Sequence, residues 1–407
     1  MQIVVVGGGA AGLMAAGCAA RRGHEVTVLE KNARMARKVG ITGKGRCNVT
    51  NNCTVPACIE HIPGGGRFLY SALSRFSPQD TMAFFEGQGV PLKTERGNRV
   101  FPCSDKALDI VDALVRYARE GGCRFRRGRA VSLRVEDGVC TGVGLEDGTV
   151  LDAYAVILCT GGLSYPATGS TGDGYRLARQ AGHTIVPPRP SLVPLAAEDS
   201  FCADMQGLSL KNCAIRAVDN RTGREAAREF GEMLFTHFGL SGPMILSASA
   251  HMREMEPGRY TVFIDWKPAL SAEQLDSRLL RELDEGKNRD FSHILAGLLP
   301  RKSIPVFAAL ADIPLQKKGN AVTREERRRL AAILKEFPVR IHGFRPVEEA
   351  IVTAGGVSLK EVDAKTMASK LVSGLYFAGE LLDLDGYTGG FNLQIAFSTG
   401  MAAGNSV

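Results

Sequence analysis

The chain opens on a short β-branched apolar run, residues 2–6. The run enters a glycine turn, Gly7-Gly8-Gly9-Ala10-Ala11-Gly12, then a stretch of small residues ending near Arg22. A second apolar run, residues 25–29, stops on Glu30. Uninterrupted apolar runs bounded by turn residues predict strands buried on both faces, and the small residues between them predict a closely packed helix. Further on, Ser77-Pro78 predicts a helix through Glu86, with Ser77 as N-cap and Pro78 in the first turn. Ser104 predicts the cap of another helix, running to Glu120 and ending at Gly121-Gly122. Residues 131–135, 139–145 and Val150 are separated by Glu136-Asp137-Gly138 and Glu146-Asp147-Gly148, the signature of a β-meander. Residues 154–159 predict a buried strand that meets Thr160-Gly161-Gly162, and Thr171-Gly172-Asp173-Gly174 opens a helix through Gln180.

A stiff proline-rich passage, residues 187–194, predicts a domain edge. Beyond it, residues 192–266 read as strand-rich, with 214–218 and 260–264 the clearest segments. Residues 271–336 read as helical, and Thr323-Arg324-Glu325-Glu326 is a capping box leading into residues 330–337. Around Gly343 the glycine-rich α/β pattern returns. An apolar strand over residues 374–379 ends on Glu380, and a glycine-rich turn leads into a small-residue helix through Ala403.

Strand, glycine turn, helix, strand and terminal acid together make the βαβ unit that binds a dinucleotide. Gly7 lets the chain leave the strand sharply, Gly9 lets backbone approach a pyrophosphate, and Gly12 lets helix and sheet pack closely. Free N–H groups at the helix start favour phosphate charge, and Glu30 can accept hydrogen bonds from a ribose diol. The stretch ending at Glu380 suits a second part of the same ligand, so the two chain ends are expected to share one cofactor with the middle inserted between them. The loop over residues 31–51 is long, basic and rich in hydrogen-bonding groups, as loops retained for a ligand often are.

Composition narrows the class. A chain of 407 residues implies two or three domains, and 44% apolar residues supply a large core. Residues 3–20 are nearly free of polar groups, but glycines interrupt them and no basic segment precedes them, so a buried βα unit is expected rather than a signal or membrane helix. Ten scattered cysteines without a CxxC pair read as reduced thiols of a cytoplasmic protein, and no metal-site spacing appears. The net charge of +7 suits an acidic cofactor or nucleic acid. The basic clusters at 124–129, 317–318 and 327–329 read singly as solvated faces and together leave an RNA surface open.

Several long motifs carry a family resemblance. They are the Gly7 to Gly12 turn, Thr42-Gly43-Lys44-Gly45-Arg46-Cys47-Asn48-Val49-Thr50-Asn51, Thr160-Gly161-Gly162-Leu163-Ser164-Tyr165-Pro166, Phe235-Thr236-His237-Phe238-Gly239-Leu240-Ser241-Gly242-Pro243, and residues 377–394. Over nearly its whole length the chain resembles the BaiN/YhiN-like bacterial flavoproteins, which carry two dinucleotide-binding segments. The resemblance implies non-covalent FAD and a fold in three parts. A Rossmann-like FAD-binding α/β domain would comprise residues 1–188 and 344–407. A β-rich insert would comprise 189–270 and 337–343, and a helical subdomain 271–336. It implies that Gly7, Gly9, Ala10, Ala11 and Gly12 take the pyrophosphate and that Glu30 and Lys31 lie at the adenosine ribose. Arg37, Lys38, Gly43, Lys44, Gly45 and Arg46 would line the pyrophosphate and flavin, and Val131 would offer backbone to adenine. Thr160 and Gly161 would border the diphosphate, Gly379 and Glu380 the ribityl or pyrophosphate part. Gly390, Asn392 and Leu393 would face the pyrimidine edge of the flavin. Members of the family often carry glycine where this chain has Ala36.

The flavin would carry the redox chemistry, and the protein position and electrostatics. A substrate site between FAD domain and insert would gather His237, Tyr165, Arg46 and Cys47. Cys47 is either a proton donor opposite flavin N5 or a packed small thiol. His237 is either an acid/base or anion-binding group or a structural histidine. Tyr165 either stacks on flavin or substrate or simply packs. The resemblance implies a reductase saturating an activated C=C, in a steroid-like enone or in a uridine of ribosomal RNA. NADH or NADPH would be a transient electron donor, since no second GxGxxG is present. An amine oxidase using oxygen and a non-catalytic flavin-binding protein are the alternatives. The expected partners are a small molecule or ribosomal RNA, with no membrane and no metal, and the sequence leaves the oligomeric state open.

Overall fold

The computed structural model describes all residues, 1–407. The chain forms two compact units, residues 1–191 with 346–407, and residues 192–345. At the centre of the first unit is a five-stranded parallel sheet in the order Leu375–Phe377, Ala155–Leu158, Gln2–Val6, Glu25–Glu30, Arg124–Arg127. Val5 pairs with both Ile157 and Val28, and Ile157 pairs in turn with Tyr376. The opening strand is exposed only at Gln2, and its four following residues are buried, as expected for a strand covered on both faces. The two chain ends thus share one sheet.

Two helices of small residues lie against each other on this sheet. In Ala10–Arg21 every residue from Ala10 to Ala20 is buried, and Phe391–Gly404 runs beside it. The approach is backbone to backbone. A Cβ on Gly400 would lie 2.4 Å from the Ala11 carbonyl oxygen, and one on Gly404 2.4 Å from that of Ala15. The predicted meander is present as Ala130–Glu136, Val139–Leu145 and Val150–Asp152.

Reciprocal capping boxes mark some of the helix starts. Ser77 caps Pro78–Gly87 in a reciprocal capping box with Asp80, and Thr323 does the same with Glu326 for Arg324–Lys335. Ser104 is not the cap expected of it. The helix Ala107–Glu120 starts after Lys106, and Ser104 Oγ instead accepts from the Lys106 N–H at 3.2 Å. The proline-rich passage is a strand, Ile185–Ser191, paired antiparallel with Val352–Val357 across an irregularity after Val186. That irregularity accommodates prolines, which cannot donate to a ladder.

The second unit is built on a closed six-stranded barrel. Its order is Leu195–Ala197, Gly239–Ser241, Arg224–Thr236, Ser209–Asp219, Tyr260–Asp265, Phe337–Phe344, closed by pairing of the last strand with the first. Phe337 therefore begins a strand rather than ending the preceding helix, which stops at Lys335. Helices Phe201–Asp204, Pro243–Ser249, Ala272–Glu285, Phe291–Leu295, Ile304–Ala311 and Arg324–Lys335 complete this unit. Trp266 packs edge-on against Phe307 at 5.0 Å, and Phe307 lies 5.0 Å from Phe337, giving the unit an aromatic core of its own. No helix is long and apolar enough to cross a membrane.

Candidate functional site

One cavity runs along the carboxyl ends of the central strands of the first unit, where open α/β sheets bind ligands. At one end it is lined by Glu30, Lys31, Gly128, Arg129 and Ala130. Its middle is lined by Gly7, Gly9, Ala10, Ala11, Lys38, Thr160 and Gly161, and its other end by Gly379, Glu380, Asn392 and Leu393. The glycines of the opening turn have different neighbours. A Cβ at Gly7 would lie 2.5 Å from the Cys159 carbonyl oxygen, and one at Gly12 only 1.9 Å from the Gly7 carbonyl oxygen. A Cβ at Gly9 would meet no atom within 4 Å, so this position opens onto the cavity. Gly9 is also the N-cap of the opening helix, and no side chain caps its first turn. Uncapped backbone N–H groups at a cavity wall are an anion site waiting for phosphate oxygens.

Charge and unmet polar groups agree with a dinucleotide. Five cations line the cavity (Lys31, Arg34, Arg37, Lys38, Arg129) against three carboxylates (Glu30, Asp173, Glu380), an excess that suits a pyrophosphate. Arg37 Nη1 is held by Asn32 Oδ1 at 3.1 Å. The Glu30 carboxylate accepts from the Gly8 N–H at 2.9 Å and from the Asn32 backbone and side-chain N–H groups at 2.8 Å each. A carboxylate has about four acceptor positions, so one remains for a ribose hydroxyl. Thr160 Oγ1 is buried beside the cavity without a hydrogen-bond partner. These residues fit FAD, with the open Gly9 cradle and the orphaned Thr160 hydroxyl as the direct indications.

Two ion-pair networks shape the walls. Lys38 Nζ donates to Glu380 Oε2 and to Ser164 Oγ, each at 2.6 Å. Glu380 Oε1 accepts from Ser164 Oγ and from the Thr353 N–H, each at 2.9 Å. The second network centres on Asp173, which accepts from Lys31 Nζ at 2.8 Å and from Arg129 Nη2 at 2.8 Å. Burial alone would raise the Asp173 carboxyl. The hydrogen bonds and charges of Arg129 and Lys31 outweigh it and hold the carboxyl well below the usual range. A depressed folded-state value stabilises the fold above the unfolded value of about 3.9, and that contribution is lost as pH falls through the folded value. Urea midpoints measured against pH should therefore show Asp173→Asn less stable than the parent at neutral pH. The difference should shrink below about pH 4. A gap independent of pH would contradict the assignment.

Most of the remaining residues singled out in the sequence lie outside the cavity. Gly12 sits behind the turn. Gly43, Lys44 and Gly45 form a tight turn with φ of 57°, 58° and 85° that does not line the cavity, although Thr42 before it does. Arg46 is held by Glu95 and by Asp105, whose Oδ1 accepts from Nε at 2.8 Å, and its guanidinium lies 4.2 Å from the Phe101 ring centroid. The Cys47 thiol is fully buried, and burial pushes it up to about 12 against an opposing hydrogen bond with Thr42. Val131, expected to offer backbone, is not among the residues that line the cavity, whereas Ala130 before it is. The Val131 carbonyl accepts from Gln180 Nε2 at 3.3 Å. Gly390 is the N-cap of the C-terminal helix, pressed against the Thr50 backbone, and the cavity is met by Asn392 and Leu393. The Asn392 side chain is taken up by the Gly386 backbone, donating to its carbonyl at 2.7 Å. Tyr165 has φ of 53°, is 36% exposed and lies 5.9 Å from Lys38 Nζ. His237 is exposed in the second unit, edge-on to Phe238 at 5.1 Å. Ala36, at φ of 50°, lines the cavity in the left-handed conformation that glycine adopts at no steric cost. The sequence reading missed Arg34, Arg129 and Asp173, though Arg129 stood in a basic cluster and Asp173 in a helix-opening motif.

The family described as HI0933-like protein Rossmann domain matches residues 1–406. The chain is 31% identical over 401 residues to the ribosomal RNA dihydrouridine synthase of Escherichia coli, covering 98% of this chain and 96% of that protein. It is 32% identical over 413 residues to the 3-dehydro-bile acid delta(4,6)-reductase of Clostridium scindens, covering 100% and 98%. Among solved structures, the 3-ketosteroid-delta4-(5alpha)-dehydrogenase of Rhodococcus jostii covers 99% of this chain and 97% of its own at TM-score 0.51. It shares 14% identity, a likeness of fold alone. The chain belongs to the HI0933-like Rossmann family, the BaiN/YhiN-like flavoproteins that its motifs resemble.

Proposed function

We propose that this protein is an FAD-dependent reductase that saturates a C=C bond conjugated to a carbonyl. The observation that carries this is the single cavity lined by both chain ends, with its open Gly9 cradle and excess of cations, in a chain matched end to end by two named enzymes. Dihydrouridine differs from uridine by saturation of one such bond, and a delta(4,6)-reductase acts on bonds of the same kind. The flavin, when bound, supplies the hydride at N5, and NADH or NADPH is the proposed donor to it.

The protein's part is position and field. The first turn of the opening helix would hold the pyrophosphate and Glu30 the adenosine ribose. The start of Phe391–Gly404, at Asn392 and Leu393, would face the pyrimidine edge, where a helix N-terminus favours the negative charge of the reduced ring. For the proton we retain Tyr165, which reaches solvent. The Cys47 thiol is sealed in the core, and Arg46 is committed to two carboxylates.

The test uses the purified protein. It should be yellow, bleach with NADH or NADPH in stopped flow, and recolour faster with an enone or with unmodified ribosomal RNA than with oxygen. Bleaching by an amine, with no response to nicotinamide, would replace this reading with that of an oxidase. Protein that stays colourless after reconstitution would remove the flavin. If RNA is the substrate, deletion cells should lack one dihydrouridine in large-subunit RNA.

A further inference from the structure

Ten cysteines are free, and two of them, Cys53 and Cys58, bracket the start of one helix. Thr54 caps the short helix Val55–Glu60, its hydroxyl accepting from the Ala57 N–H at 3.4 Å. Cys53 stands immediately before this cap, and Cys58 is the fourth residue of the helix. In a hydrophobic staple these two positions pack against each other and fix the angle at which the chain enters the helix. Here both positions carry a thiol. The Cys58 N–H closes the first helical turn on the Thr54 carbonyl at 2.9 Å, and the Cys53 N–H is tied back to the Asn51 carbonyl at 2.8 Å. Both ends of the pair are thereby held.

We propose that Cys53 and Cys58 form a reversible dithiol–disulfide couple, a modification site oxidised by hydroperoxides. Cys58 is fully buried and Cys53 is partly exposed, so the attacking and resolving roles are assigned by access. The hydrogen bond from Cys58 favours the thiolate of Cys53 over the opposing effect of burial, and it keeps the proton on Cys58. In the first step the Cys53 sulfur attacks the peroxide. An S–O bond forms, the O–O bond breaks, and one oxygen leaves as water. In the second step the Cys58 sulfur attacks the sulfenic sulfur. The S–S bond forms, the S–O bond breaks, and the Cys58 proton leaves with the second water. The two thiols lose two electrons, and one hydrogen peroxide becomes two waters.

The couple adjoins the cofactor domain's closure. It follows the strand Thr50–Asn51, where Asn51 Nδ2 donates to the Gly389 carbonyl at 3.1 Å and the Thr50 backbone abuts Gly390. Cross-linking would lock the segment that supports the turn into the C-terminal helix.

Holoprotein exposed to hydrogen peroxide, alkylated and mapped by mass spectrometry provides the test. The free thiols should fall from ten to eight, with one peptide cross-link between Cys53 and Cys58 that dithiothreitol reverses. The cross-link should form at least about tenfold faster than the exposed Cys103 is oxidised. In Cys53→Ser, a partly exposed position chosen to spare the fold, Cys58 should remain a thiol. Cys53 carried to sulfinic acid beside a reduced Cys58, or both unchanged while Cys103 oxidises, would overturn the proposal and leave a packing contact. Because the readout is thiol chemistry, it stands or falls apart from the reductase reading.

Discussion

Gly12→Ala is expected to yield a protein that no longer retains FAD and unfolds at lower temperature. The added Cβ would fall 1.9 Å from the Gly7 carbonyl oxygen and 3.1 Å from the Gly7 carbonyl carbon. Both obstacles are backbone, so no side-chain rotation relieves them. Gly7 cannot retreat, since its own position is 2.5 Å from the Cys159 carbonyl oxygen by the same measure, and its φ is 105°. The opening turn must therefore move off the strand. Overpacking of this kind costs about 1–3 kcal/mol, and backbone against backbone belongs at the upper end. An added 2.8 kcal/mol or so of distortion in the bound state weakens binding about a hundredfold. Gly9→Ala is the matched control. Its methyl meets no protein atom within 4 Å, so the thermal midpoint of the apoprotein should hold while FAD affinity falls, the methyl lying where the pyrophosphate is placed. Calorimetry and flavin fluorescence on the two variants separate fold from site. Equal behaviour in both assays would refute the placement of the pyrophosphate at Gly9.

The second large effect is expected at Glu380. Its carboxylate receives Lys38 Nζ, Ser164 Oγ and the Thr353 N–H, so it ties together three separate wall segments. Glu380→Ala strands the Lys38 ammonium, whose side chain is 22% exposed, and leaves the Thr353 N–H without its acceptor. Breaking a fully buried pair costs about 3–5 kcal/mol. Partial exposure of both groups lowers the expectation here to about 2 kcal/mol. Glu380→Gln keeps an acceptor for Thr353 and should lose about half as much. Denaturant midpoints read the stability, and the FAD dissociation constant reads the loosening of the wall. An unchanged midpoint in Glu380→Ala would mean that these bonds do not bear on the fold.

The parts legible in the sequence are those written in local patterns. Residues 2–30 state their own strand, turn and helix, and Thr323 with Glu326 announces a helix start within four positions. Ser104 misled because a serine can bond to nearby backbone without capping, and here it serves the Lys106 N–H ahead of the helix. The misplaced end at Phe337 has a similar origin, because an aromatic in an apolar stretch fits helix and strand alike until its pairing is known. The Lys38–Glu380 pair spans 342 positions, and nothing local to either residue marks the other. The family resemblance placed Arg46 beside the pyrophosphate and flavin. Only the fold brings Glu95 and Asp105 to it. The closed barrel was likewise invisible, since its first and last strands meet across about 140 residues of intervening chain.

Gly400 and Gly404, pressed against the Ala11 and Ala15 carbonyls, have a bearing on biogenesis. Emergence from the ribosome is directional, and the opening helix waits for a partner made only after the whole second unit. The intervening unit, residues 192–345, is continuous and can mature while the flanking halves stay incomplete. Nascent chains should thus carry an open sheet edge beside Ala155–Leu158 until Leu375–Phe377 arrives, an interval in which chaperone capture or premature aggregation competes with completion.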